Sequence, residues 1–234
     1  MNVAQFSSQA LYPKLAPGPH SSSQGSVSSH QRARLYGAMI ELVAARGYEA
    51  STVAQLCTLA GVSKRTLYER FPGGKQQCFL ATYDIIAHRG ETRILACEQC
   101  GLEVLERADP LARLRTMVEA FANEVAAYPN AARLALVEAA GAGPAALART
   151  QRTTRRAERV IAWSLRNGSK GPAPSPVLVK AIVAEGAELV RARLLDGRVS
   201  GLARELSDFC ATAAAPLAAP PAGPIRGCTQ VSAK

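Results

Sequence analysis

An all-α fold in two unequal helical parts is predicted, and three observations carry it. From Gln31 onward no stretch alternates apolar and polar residues with a period of two. Ala, Leu, Arg and Glu dominate that region, and Gly and Pro break it into helix-sized pieces. The chain has 234 residues, 48% of them hydrophobic and 20% charged, enough to bury a real core in one large or two small domains.

Residues 1–30 are rich in Ser, Gln, Pro and Gly, and the run SSSQGSVSSH has no periodicity, so a disordered arm is expected there. A first helix is expected from Gln31 to Arg46, with Leu35, Met39, Leu42 and Val43 at helical spacing and Gly47 ending it. Thr52 and Gln55 have the spacing of a capping box opening a short second helix, which Gly61 stops after Ala60. Ser63 caps a third helix, ended by Pro72-Gly73-Gly74. A long fourth helix starts near Lys75. Beyond Asp109-Pro110 the expected helices run from Asp109 to Tyr128 and from Pro129 to Ala140. A basic helix carrying RTTRRAER follows from Ala145 to Asn167, then the loop GSKGPAPSP. Two final helices, Pro176–Leu195 and Ser200–Ala214, precede a Pro- and Ala-rich segment, 215–234, expected to be disordered.

The third helix is the unusual one. At 100° per residue, Leu67 and Phe71 share one side, while Arg65, Thr66 and Glu69 lie opposite. Lys64 and Tyr68 form one flank and Arg70 the other. Two short helices joined by a Gly-containing turn fit a helix-turn-helix, whose second helix enters the DNA major groove. Arg65 suits two bonds to guanine, the Thr66 methyl suits thymine, and Tyr68 and Arg70 suit phosphate oxygens. Residues 31–75 hold seven Lys and Arg against three Glu, a net of +4, and the whole chain carries +10 with a pI of about 9.7. This balance favours polyanionic partners, nucleic acid before an acidic membrane surface. A polar face on an ordinary surface helix is the competing reading of the hairpin alone.

The spelling GYEASTVAQLCTLAGVSKRTLYERFPGGK closely resembles the N-terminal DNA-binding signature of the TetR family of transcriptional regulators. The resemblance rests on Gly47-Tyr48, Ser51-Thr52-Val53, Gly61-Val62-Ser63, Thr66-Leu67-Tyr68, Phe71 and a following lysine, and covers about Arg32 to Ala81. It implies base contacts from Lys64, Arg65 and Thr66, a phosphate or base contact from Tyr68, and phosphate contacts from Thr52 and Lys75. One departure is visible: Gly73-Gly74 sets Lys75 four residues after Phe71, where three is usual. The resemblance further implies residues 31–75 as the DNA-binding domain and 76–214 as a helical domain for ligand binding and dimerisation. The expected function is a ligand-responsive repressor that binds a palindromic double-stranded DNA operator as a homodimer. The alternatives are an activator, or a small-molecule or thiol redox sensor acting through the C-terminal domain.

Leu178, Ile182, Leu189, Leu202, Leu206 and Phe209 are candidates for a dimer seam through about 176–214, with Gly186 allowing close approach. Met117, Phe121, Tyr128 and Trp163 are candidates for lining a pocket for an unknown small-molecule effector; simple core is the competing role. His88 and Asp84 form an i, i+4 pair suited to a surface hydrogen bond. Cys97 and Cys100 have CxxC spacing without further ligands, and Cys57 reads as packed. RTTRRAER reads as a solvated helix face or a second DNA patch. No catalytic constellation, metal site or cofactor is expected: His occurs only at 20, 30 and 88, and no Ser-His-Asp order, paired carboxylates or phosphate loop stands out. No apolar run approaches the ~20 residues of a membrane span, and no secretory pattern opens the chain, so a cytoplasmic location is expected.

Overall fold

Caps and glycines set most of the helix ends. The computed structural model describes residues 24–99, 109–166 and 173–218, all of their regular structure being helical. The helices are α1 (Gln24–Arg46), α2 (Val53–Ala60), α3 (Lys64–Arg70), α4 (Gly74–Gln99), α5 (Pro110–Ala127), α6 (Pro129–Leu136), α7 (Pro144–Ser164), α8 (Pro176–Leu195) and α9 (Leu202–Ala218). A 3-10 turn at Glu138–Gly141 joins α6 to α7. Thr52 accepts from the Gln55 amide and Gln55 returns the bond, completing the capping box of α2. Ser63 accepts from the Thr66 amide at the start of α3. Asp109 accepts from two amides of α5, with Pro110 in the first turn.

Two boundaries differ from expectation. The first helix begins at Gln24, so at least residues 24–30 of the expected arm are helical. Once the Leu35–Val43 face is packed, adding turns to an existing helix needs no new nucleus. Likewise the last helix continues through the Ala-rich run to Ala218, past the expected stop at Ala214. The remaining arm (1–23), Asn167 with residues 168–172 of the GSKGPAPSP loop, and the tail from 219 lie outside the described residues.

The buried side chains form two clusters. One gathers α1–α3 with Cys78, Phe79 and Tyr83 of α4 and with Ala131, Leu134 and Ala135 of α6. The other gathers α5, α7, α8 and α9 around Leu114, Ile161, Ile182, Val190, Leu202 and Leu206. Packing of the first cluster therefore runs through the boundary expected at 75/76. Helix α6 belongs to both clusters, because its Ala132 points into the second.

The last two helices pack inside the protomer more than expected. Ile182, Leu202 and Leu206 are buried without a second chain, whereas Leu178, Leu189 and Phe209 are half-buried. Gly186 sits against α9, where a Cβ would lie 3.4 Å from Leu206 Cδ1, so this glycine serves contact between α8 and α9 of one chain.

Candidate nucleic-acid interface and buried cavity

Helix α3 is held from one side only. Leu67 is fully buried, and Phe71 packs edge-on against Tyr36 of α1 at 5.8 Å between ring centroids. Burying a side chain of this size contributes roughly 1.5–3 kcal/mol, enough to seat a seven-residue helix on its neighbours. Lys64, Arg65, Tyr68 and Glu69 are exposed.

The candidate contact residues divide by what already occupies them. Arg65 donates through Nε to Glu69 at 2.8 Å, an exposed i, i+4 pair that leaves both terminal nitrogens as a free fork. Tyr68 is 48% exposed, its ring leaning over Gly74. Thr66 is half-buried, and its hydroxyl lies 2.9 Å from that of Ser63. The Thr52 hydroxyl donates to Gln55 Oε1 while accepting from the Gln55 amide, so it serves as a cap. Arg70 is half-buried and donates through Nε to Gln31 of α1.

Lys75 is turned inward. Its ammonium donates to the carbonyls of Tyr48 and Ser51, each at 2.9 Å, and lies 4.1 Å from the centre of the Tyr48 ring. It braces the α1–α2 loop, where the resemblance implied a phosphate contact. The second glycine before it has a backbone reason: Gly74 has φ +63°, and its amide closes the turn onto Phe71 O at 2.7 Å. Arg34, which sequence reasoning missed, donates to Gly61 O at 2.6 Å and fastens the α2–α3 turn to α1.

The larger half encloses a cavity of about 580 Å³ between α4, α5, α6, α7 and α8, with α9 closing one side. Met117, Phe121 and Tyr128 line it as expected, but Trp163 does not. Trp163 instead lies beside the buried Arg113 guanidinium, 5.2 Å from its ring centre, and Arg113 donates to Ser164 O and Arg166 O. The RTTRRAER run is divided in use. All four of its arginines are exposed, but Arg156 and Arg159 border the cavity while Arg152 and Arg155 do not. Asp84 pairs with Arg149 through both oxygens, so the expected Asp84–His88 bond gives way to a link between α4 and α7.

A polar bridge joins the cavity wall to the helix-turn-helix half. Glu138, just after α6, accepts from the Tyr48 amide at 3.1 Å and pairs with Arg133 of α6 at 3.5 Å. Asn130 of α6 donates to Glu41 of α1. Nothing local in the sequence marks Glu138, whose partner lies 90 residues away.

Burial disfavours the charged form of three thiols. It raises Cys57, pushes Cys210 up to about 11 and pushes Cys78 up to about 12. Cys57 is thus packed, as read from the sequence. The Cys97 side chain and all of Cys100 lie outside the described residues. Among the described residues, no helix is long and apolar enough to cross a membrane.

Comparison with known proteins agrees with this arrangement. Residues 36–82 match the family model of bacterial regulatory proteins, tetR family. No curated protein matches. Among solved structures, a TetR-like transcriptional regulator from Rhodococcus sp. RHA1 is similar, with 18% identity, a TM-score of 0.61, and 78% of this chain and 94% of that one covered. The regulator FadR from Bacillus subtilis, solved in complex with stearoyl-CoA, has 15% identity, a TM-score of 0.60, and coverage of 77% and 97%. PfmR from Thermus thermophilus, a TetR family regulator, has 24% identity, a TM-score of 0.58, and coverage of 76% and 94%. Residues 36–82 of this chain thus match the tetR family of bacterial regulatory proteins, and its helical body has the fold of solved regulators of that family.

Proposed function

We propose that the chain is a ligand-responsive transcriptional repressor that binds a palindromic operator as a homodimer. The exposed outer face of α3 carries this reading. Lys64, Arg65 and Tyr68 project from a helix whose buried side is reduced to Leu67 and Phe71. Arg65 would read guanine through its free fork, with Tyr68 and Lys64 at the groove walls and Thr66 at a base methyl. Thr52 would reach phosphate only by releasing Gln55, whereas Arg70 holds Gln31 through Nε and would reach phosphate through its terminal nitrogens. The dimer would form through about 176–214, where Val177 and Leu195 of α8 stay exposed on one stripe with Ala181, Ala184 and Ala192. Two-fold pairing would then match a two-fold operator.

The cavity would take the effector; FadR, of similar fold, was solved in complex with stearoyl-CoA. Arg133 and Glu138 would carry its occupancy to the loop before α2. Selection of bound fragments from genomic DNA tests the whole reading, with an inverted repeat as the expected product. Retention of DNA without sequence preference, or of single half-sites alone, defeats it.

A further inference from the structure

The cavity wall is divided by chemistry. Every charged side chain lining it comes from α4, α5 or α7: Arg89, Glu91, Glu124, Arg156 and Arg159. Helices α8 and α9 contribute apolar side chains such as Ile182, Val190 and Leu206. The charges do not cancel. Glu124 accepts from Arg89 at 2.5 Å and is also shared with Arg93, and the Arg89 guanidinium lies over the Tyr128 ring. Arg156 pairs with Glu91 at 2.6 Å. Arg159 has no ion-pair partner among the described residues. Among the described residues, three arginines and two glutamates line the cavity, and Arg93 shares Glu124 from outside the lining, so guanidinium groups outnumber carboxylates there.

We propose that the cavity takes an amphiphile with an apolar body and a single carboxylate head, the head seated by Arg159 and Arg156 and the body against α8 and α9. The proposal rests on the reading of this cavity as the effector site. A guanidinium presents a planar fork that fits a carboxylate through two parallel bonds. The excess of guanidinium over carboxylate among the described residues favours an anionic head, and an ammonium head would meet net repulsion. The volume, about 580 Å³, falls within the ~300–1,000 Å³ of sites that enclose a small molecule.

Isothermal titration of the full chain with decanoate, decan-1-ol, decylammonium and decyl phosphate tests the head group. Arg156→Gln/Arg159→Gln is the companion variant, both side chains being exposed enough to change without loss of fold. Decanoate is expected to bind at least ~10-fold tighter than decanol, and the double variant to lose that margin while still binding decanol. Equal binding of the alcohol, preference for the amine or the phosphate, an unchanged margin in the variant, or no binding at all overturns the proposal. Operator affinity measured in the same samples separates it from the broader reading. Decanol releasing DNA as well as decanoate overturns the head-group assignment and leaves an effector site. Arginine-dependent decanoate binding that leaves DNA affinity unchanged supports the assignment and defeats the ligand-responsive reading.

Discussion

Arg65 and Lys75 show how two basic residues of one short segment come to different uses. Arg65 has its terminal nitrogens free, and its exposed partner Glu69 holds it only weakly. Arg65→Ala is therefore expected to weaken operator binding by roughly ten-fold or more and to relax preference at one base position, read by binding to a panel of operator variants. Lys75 spends its donors on two carbonyls of the α1–α2 loop. Lys75→Met is expected to lower the melting temperature while leaving the slope of log affinity against log salt unchanged; a phosphate contact would reduce that slope by ~1. The buried thiols give a pH statement. Their folded values lie above the ordinary 9.0, so the folded state keeps protons that the unfolded chain gives up. Their contribution is complete below about pH 9 and is lost as pH rises through about 11 for Cys210 and about 12 for Cys78. Alkylation of the native chain at pH 8, followed by mass spectrometry, is expected to spare Cys57, Cys78 and Cys210 until denaturant is added.

At the scale of elements, the short helices were legible because their signals are local. Thr52 with Gln55, Ser63, and the wheel that sets Leu67 opposite Arg65 all act within four residues. Helix ends failed where local propensity yielded to packing or extension, as at Gln24 and Ala218. The cavity side chains illustrate the other limit. Arg159 and Arg155 look alike along the chain, and only the placing of α7 beside α4 decides which of them borders the cavity. The α3–α4 turn lies between these cases, since the second glycine shows in the spacing from Phe71 to Lys75 but its positive φ does not. Gly74→Ala places a Cβ at positive φ and 3.1 Å from the Tyr68 ring. The expected cost is roughly 1 kcal/mol or more in chemical denaturation, together with weaker operator binding as Tyr68 is displaced.

At the scale of the whole molecule, the bridge from α6 to the α1–α2 loop is the candidate route between the cavity and DNA. Glu138 accepts the Tyr48 amide while paired with Arg133, whose helix also lines the cavity. Glu138→Ala is expected to leave operator affinity within a few-fold and to diminish its response to a cavity ligand, measured as the ratio of affinities with and without decanoate. An unchanged ratio removes Glu138 from the route.

The double membership of α6 also bears on how such a chain tolerates recombination. A fragment cut after residue 75 would expose the surfaces that Ala131, Leu134 and Ala135 cover, and would lose Phe79 from beneath Tyr48. Grafting a foreign sensor at that point would join two halves that had each lost part of their interior. A junction beyond Ala146, the last residue of the first cluster, keeps the reading head intact. For this protein the exchangeable unit is larger than the helix-turn-helix and includes one wall of the chamber.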